Sequence, residues 1–185
     1  MLTNDEIDRF QADGAMLLLG RFRDWIEPLR AGIERNIASP SRFERSYRPT
    51  DGTAMFFQDY CSWQRIPEFR NFVFESPAGP LAAQLMRSRT ARFFHDHVLV
   101  KEPGSSILTP WHQDQPYYCV DGHQSVSFWI ALDEVARDSV VEYVAGSHRW
   151  GRDFRPLRFN GSPLYAKDDF AAMPDIDARR DDYRI

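Results

Sequence analysis

Hydrophobic and polar positions in the first half of the chain recur mainly with the spacing of helices. Thr3-x-x-Glu6 has the form of a capping box and predicts a short helix that ends at Gly14. Further along the chain, apolar residues also recur at helical spacing after residues that typically begin a helix. Further helices are predicted from the capping box Asp24-x-x-Glu27 to about Ala38, from Pro67 across Phe69, Phe72 and Val73, and from Pro80 to Met86.

From Thr90 the pattern changes to the period of two that is typical of strands. Beyond Gly151 no clear period is visible. We therefore predict one domain over 1–185, with a helical support region at 1–89, strands at 90–150 and a loop-rich tail at 151–185. Strands are predicted at Ala15–Leu19, Phe93–Lys101, Thr109–Tyr118, Ser125–Leu132 and Val140–Val144, a strand or a turn at Met55–Tyr60, and turns at Glu102–Ser106, Asp121–Gly122 and Asp138–Ser139.

Composition and charge narrow the classes of protein to consider. The chain has 185 residues, is 43% hydrophobic and carries a net charge of −4 without any basic run, which argues against a nucleic-acid partner. No apolar run has the length of a membrane span, and the polar, acidic start does not look like a signal peptide. Cys61 and Cys119 stand far apart, which fits two free thiols in a reducing cytoplasm.

The clearest chemical signal is the pair His112 and Asp114. In an extended segment, side chains two positions apart project to the same face, with Gln113 on the other. An imidazole and a carboxylate are two parts of the triad that holds ferrous iron in oxygenases. Pro110 and Pro116 bracket the pair and stiffen the chain there. From the spacing alone, a strand end with a surface histidine and aspartate is the commoner explanation.

Four segments in order resemble the phytanoyl-CoA dioxygenase family, whose members are iron(II)- and 2-oxoglutarate-dependent oxygenases. The segments are Lys101–Gly104, Thr109–Tyr118, Ser127–Asp133 and Ala145–Gly151. The resemblance implies a mainly β fold with N-terminal helices: a double-stranded β-helix of the jelly-roll, cupin-like type, which we expect to be incomplete at its C-terminal end. It also implies that His112 and Asp114 bind iron(II), and that the protein hydroxylates a small organic molecule. The carboxylate of Asp114 favours hydroxylation over halogenation, since related halogenases vacate that position for chloride.

Three further residues are candidates for contact with the 2-oxoglutarate cosubstrate, two from the resemblance and one from its position. Trp129 matches a family tryptophan that packs beside it, and His97 stands where the family often has a polar residue. Lys101 shares the face of His97, and its charge could attract a carboxylate. Structural roles remain open for all three: a core tryptophan, a hydrogen-bonded core histidine and a lysine in solvent at a strand end.

The second metal histidine of the family is not evident. His148 lies in Gly146-Ser147-His148, which matches a family stretch at the rim of the site; no histidine follows it, and Arg179, Arg180 and Arg184 lack the context of the 2-oxoglutarate arginine. We expect that these 185 residues alone do not turn over 2-oxoglutarate, and that exposed sheet edges invite association with another chain. Three alternatives stay open: His148 as a substitute ligand, an inactive family member acting as a ligand- or partner-binding shell, and a plain metal-binding β domain.

Overall fold

The structure is a computed structural model that describes residues 1–50, 52–105, 107–137, 139–166 and 169–185. The chain folds into two compact units. We call residues 1–2, 18–106 and 126–138 the sheet unit, and residues 3–17, 107–125 and 139–185 the motif unit. The regular elements are α1 (Asn4–Asp13), α2 (Ile26–Ala38), β1 (Phe56–Tyr60), α3 (Pro67–Glu75), α4 (Ala78–Leu85) and β2 (His97–Lys101), with short 3₁₀ turns at Arg23–Trp25, Gln115–Tyr117, Ser147–Arg149 and Asp177–Asp182.

The prediction of a mainly β, jelly-roll fold is wrong. The described residues form one two-stranded antiparallel sheet, in which Phe56 pairs with Lys101 and Tyr60 with His97. The predicted strand at Ser125–Leu132 does alternate between more and less exposed residues, but it is not part of this sheet. Alternation records which side chains face solvent, whereas a strand also needs a neighbour that hydrogen-bonds its backbone. The predicted strands Ala15–Leu19, Thr109–Tyr118 and Val140–Val144 are likewise absent from the sheet.

The core of the sheet unit lies where α2 and α3 meet the sheet. Its buried cluster consists of Leu29, Phe57, Ile66, Phe69 and Val98. Helices α2 and α3 come close together at Gly32, where an added Cβ atom would lie 2.5 Å from Cε1 of Phe69. The predicted helices from Pro67 and to about Ala38 are confirmed, because a proline at a first turn and an apolar stripe are strong local signals.

The two capping-box predictions had different outcomes. At α1 both hydrogen bonds are present: Glu6 N–H donates to Thr3 Oγ1 at 3.2 Å, and Thr3 N–H donates to Glu6 Oε2 at 2.7 Å. Gly14 then ends α1 in the left-handed conformation, with φ of 77°. At Asp24 the prediction is wrong, since the residue lies in a 3₁₀ turn and α2 begins at Ile26 without a side-chain cap.

Other boundaries differ from the sequence prediction by a few residues. Strand β2 begins at His97 rather than at Phe93, and α4 begins at Ala78 rather than near Pro80. Ser106 and Asp138, which belong to two predicted turns, lie outside the described residues. Within the described part of the chain, no helix has both the length and the apolar character needed to cross a bilayer. The division into support region, strand region and tail stays a prediction.

Candidate metal site

His112 and Asp114 come together in the motif unit. The His112 Nε2 atom lies 3.4 Å from Asp114 Oδ1, and the two side chains are 38% and 50% exposed. Asp114 has right-handed helical dihedral angles and stands at the start of the 3₁₀ turn Gln115–Tyr117. The pair is therefore held on a bend of the chain, and not on the extended strand from which its shared face was predicted.

A backbone carbonyl fixes the orientation of the imidazole. His112 Nδ1 lies 2.8 Å from the carbonyl oxygen of Pro110. Because a carbonyl oxygen can only accept, Nδ1 carries a proton and Nε2 is the atom turned to Asp114. The hydrogen bond with Asp114 raises the pKa of His112, while burial acts in the opposite direction. Without a metal, a protonated His112 forms an ion pair with Asp114.

The same geometry fits two ligands of one metal ion. Ligand atoms about 2.1 Å from a shared ion stand about 3.0–3.4 Å apart, depending on the angle between them. A metal-bound histidine commonly donates its other ring N–H to a carbonyl or carboxylate, as His112 does to Pro110. No group of three or more histidine, cysteine, aspartate or glutamate side chains suited to a metal occurs among the described residues. A facial triad takes two histidines and one carboxylate, and the pair provides one candidate of each kind.

Hydrogen bonds attach the 112–117 stretch to the backbone of residues 152–157. Gln113 Nε2 donates to the Arg152 carbonyl at 3.2 Å, and Gln113 Oε1 accepts from Phe154 N–H at 2.9 Å. The Tyr117 hydroxyl donates to the Leu157 carbonyl at 2.7 Å and accepts from the Leu157 N–H at 2.8 Å. The Tyr117 ring meets His112 edge-on, with ring centroids 5.9 Å apart.

Sequence reasoning missed this support. The tail at 151–185 has no periodicity, and hydrogen bonds between residues about 40 positions apart leave no local pattern. The one available signal was Gln113, a residue with both a donor and an acceptor on the face opposite the pair.

A cavity of about 80 Å³ borders His112 in the motif unit. Its wall is mostly aromatic and aliphatic, with Gln113, Glu142 and Ser147 as polar members. Burial and the negative charge of Asp114 raise the pKa of Tyr143, which also lines the cavity. The apolar lining residues are Trp111, Tyr143, Val144, Trp150, Phe154, Met173 and Ile176.

The chain matches a protein-family model. The family model described as phytanoyl-CoA dioxygenase (PhyH) matches residues 2–182. The chain belongs to the phytanoyl-CoA dioxygenase family. Membership indicates a dioxygenase-type oxidoreductase, and it agrees with the resemblance drawn from the four sequence segments. No curated protein and no solved structure matches the chain.

The three residues predicted to contact the cosubstrate all lie in the sheet unit. The His97 ring stacks on Tyr60 with centroids 3.9 Å apart, and its Nε2 lies 3.2 Å from Gln58 Oε1. Lys101 holds its Nζ 5.0 Å from the centre of the Phe56 ring, and burial lowers the pKa of the Lys101 amine. Trp129 is 46% exposed. Their roles toward 2-oxoglutarate stay predictions.

His148 has a structural partner within the motif unit. Its Nε2 lies 3.2 Å from the Gln11 carbonyl at the end of α1, and its ring lies so close to Gly14 that a Cβ atom there would collide with it. The neighbouring Gly146 N–H donates to the Asp13 carbonyl at 2.7 Å. The Gly-Ser-His stretch of this family member therefore holds the C-terminal end of α1.

Proposed function

We propose that this member of the phytanoyl-CoA dioxygenase family is an iron(II)- and 2-oxoglutarate-dependent oxygenase that hydroxylates a small organic molecule, with His112 and Asp114 as two of its metal ligands and no residue assigned as the second histidine ligand. The observation that carries the proposal is the 3.4 Å separation of His112 Nε2 and Asp114 Oδ1, with Nδ1 of the same ring bonded to the Pro110 carbonyl. The family match over residues 2–182 supports the reaction class.

Each of the two residues has a defined role in this proposal. The Pro110 carbonyl keeps the proton of His112 on Nδ1, which leaves Nε2 as the donor atom for a metal. Asp114 places a negatively charged oxygen next to that Nε2 atom, where the metal would be shared. Iron(II) and 2-oxoglutarate, when bound, would supply the oxidation of a C–H bond by dioxygen.

The cavity beside His112 is the proposed place for the part of the substrate that reacts. Its mostly aromatic and aliphatic wall favours an apolar group there. Ser147, at the same wall, is able to orient a polar group of the substrate by a hydrogen bond.

The test is an anaerobic titration of the purified protein with ferrous ion, with and without 2-oxoglutarate. A weak visible charge-transfer band that needs both components is expected. His112→Ala and Asp114→Ala should each weaken iron binding by more than the roughly 10–100-fold that follows loss of a supporting contact. His123→Ala, an exposed histidine of the same unit, is the matched control and should bind iron like the wild type.

The other outcomes separate the alternatives. Metal binding with the same affinity and spectrum in the presence and absence of 2-oxoglutarate would identify a plain metal-binding module. No metal binding at all would identify a shell that binds a ligand or a partner without oxygen chemistry. Unchanged iron binding in both alanine variants would show that His112 and Asp114 are not metal ligands.

A further inference from the structure

The two oxygens of the Asp114 carboxylate have different surroundings. Oδ1 lies 3.4 Å from His112 Nε2, on the side where a metal would be shared. Oδ2 accepts a hydrogen bond from the Tyr118 hydroxyl at 3.1 Å. A carboxylate can bind a cation through one oxygen or through both. A hydrogen bond to Oδ2 therefore favours binding through Oδ1 alone.

The backbone directs the Tyr118 side chain to this oxygen. Tyr118 follows the 3₁₀ turn, where Tyr117 N–H donates to the Asp114 carbonyl at 2.9 Å and Tyr118 N–H donates to the Gln115 carbonyl at 3.0 Å. The turn brings residue 118 back over residue 114. Tyr118 itself is extended, with φ of −96° and ψ of 150°, so the turn ends there.

The two neighbouring tyrosines serve different partners. The Tyr117 hydroxyl exchanges two hydrogen bonds with the Leu157 backbone, and its ring lies edge-on to His112. The Tyr118 hydroxyl bonds to Asp114. One tyrosine thus supports the imidazole of the pair and the other supports the carboxylate.

We propose that Tyr118 is a positioning residue that restricts Asp114 to one-oxygen metal binding, an inference that rests on the proposed function. A facial triad is useful for oxygen chemistry because it leaves coordination positions open. An aspartate that turned its second oxygen to the metal would occupy one of the positions that the cosubstrate needs. A hydroxyl that donates to Oδ2 opposes that rotation without adding charge to the site.

The test compares Tyr118→Phe with the wild type, using Mn²⁺ as a redox-stable probe in calorimetry and Co²⁺ in visible absorption. Loss of a hydrogen bond that orients a ligand is expected to weaken Mn²⁺ binding about tenfold. The Co²⁺ absorption should weaken as the second carboxylate oxygen enters the coordination sphere. Tyr47→Phe is the matched control, since Tyr47 belongs to the sheet unit and its ring stacks on Phe56.

A double-mutant cycle separates positioning from a general loss of structure. If Tyr118 acts through Asp114, then Tyr118→Phe should change the residual Mn²⁺ affinity of Asp114→Ala protein by less than about twofold. Urea unfolding of each variant without metal measures the structural contribution separately.

The outcomes are distinguishable. Tenfold weaker binding that disappears in the Asp114→Ala background, with a changed Co²⁺ spectrum, supports the inference. Wild-type affinity and spectrum in Tyr118→Phe overturn the inference and leave the proposed function standing. A phenolate-to-iron charge-transfer band with ferric ion that Tyr118→Phe abolishes would make Tyr118 a ligand and also overturn it. A wild-type protein that binds no metal overturns the proposed function, and the inference with it.

Discussion

The two units each contain a carboxylate with a distinct set of partners. In the sheet unit, Asp59 is fully buried, and it accepts hydrogen bonds from the Asn36 side chain and the Ser41 N–H at 2.7 Å and from the Tyr60 N–H at 2.8 Å. In the motif unit, the Asp114 side chain is 50% exposed, and Oδ1 faces His112. A carboxylate has about four lone-pair positions. Asp59 uses them to hold the fold together, whereas Asp114 presents an accessible oxygen beside an imidazole.

The pKa values follow these surroundings. Burial raises the pKa of Asp59, but the hydrogen bonds from Ser41, Asn36 and Tyr60 outweigh burial, and the net pKa lies below the ordinary value. Arg65 adds a cation, with Nη2 3.7 Å from Asp59 Oδ2. The contrast teaches that hydrogen bonds from fixed backbone and side-chain groups make a carboxylate structural, and that accessibility leaves one available for a ligand.

The largest predicted effect is the loss of stability in Asp59→Ala. The change leaves the buried Asn36 amide and the Tyr60 N–H without this acceptor, and it removes a carboxylate that forms an ion pair with Arg65. Since each buried donor that loses its acceptor costs about 1–3 kcal/mol, we expect the free energy of unfolding to fall by about 3–5 kcal/mol. Urea unfolding followed by circular dichroism measures it. The control is Asp133→Ala, whose side chain is 85% exposed beside Arg30, with an expected cost under about 1 kcal/mol. Equal losses in the two variants would refute the structural role of Asp59.

Asp59 should also give the sheet unit a dependence on acid. Because its pKa is lower folded than unfolded, its stabilising contribution is complete above the unfolded pKa and is lost as the pH falls through the folded pKa. Wild-type stability should therefore decrease more steeply below about pH 4 than that of Asp59→Asn, which is less stable at neutral pH. Parallel curves of unfolding free energy against pH for the two proteins would contradict this.

A smaller effect is expected for Tyr117→Phe in the motif unit. The variant loses the hydrogen bonds to both the N–H and the carbonyl of Leu157. Since Leu157 is partly exposed and water can replace the hydroxyl, the expected cost is about 1 kcal/mol. Urea unfolding and the rate of limited proteolysis measure it. Tyr165→Phe, which loses a single bond to the Pro116 carbonyl, should cost less. The reverse order would show that the Leu157 bonds contribute little.

The smallest expected effect is that of His148→Ala on metal binding. His148 packs against Gly14 and bonds to the Gln11 carbonyl, so its removal should lower the free energy of unfolding by less than about 1 kcal/mol and leave metal affinity unchanged. Calorimetry with Mn²⁺ on His148→Ala and His112→Ala makes the comparison. A matching loss of affinity in the two variants would identify His148 as the second histidine ligand.

Sequence reasoning succeeded where the determining interactions are local. The capping box at Thr3 and the proline at the start of α3 lie within one helical turn of the groups that they affect. The proximity of His112 and Asp114 was also predicted, although the bend that produces it was not. Segment Ser125–Leu132 has the pattern of a strand, but its own residues cannot specify a pairing partner. The bonds of Gln113 and Tyr117 to residues 152–157 could not be predicted for the same reason.

The hydrogen bonds of Tyr117 connect the His112–Asp114 pair to a backbone amide that is distant in the sequence. The Leu157 amide hydrogen can exchange with solvent deuterium only when its bond to Tyr117 opens, and Tyr117 packs against His112. Where that opening also separates the Tyr117 ring from His112, an ion that binds only the closed arrangement slows the opening by a factor of about 1 + [L]/Kd, or about 100-fold at 100 times Kd. Deuterium uptake at this amide, followed as an ion is added, then tests whether the pair and the Leu157 hydrogen bond open together, without any turnover, chromophore or knowledge of the substrate.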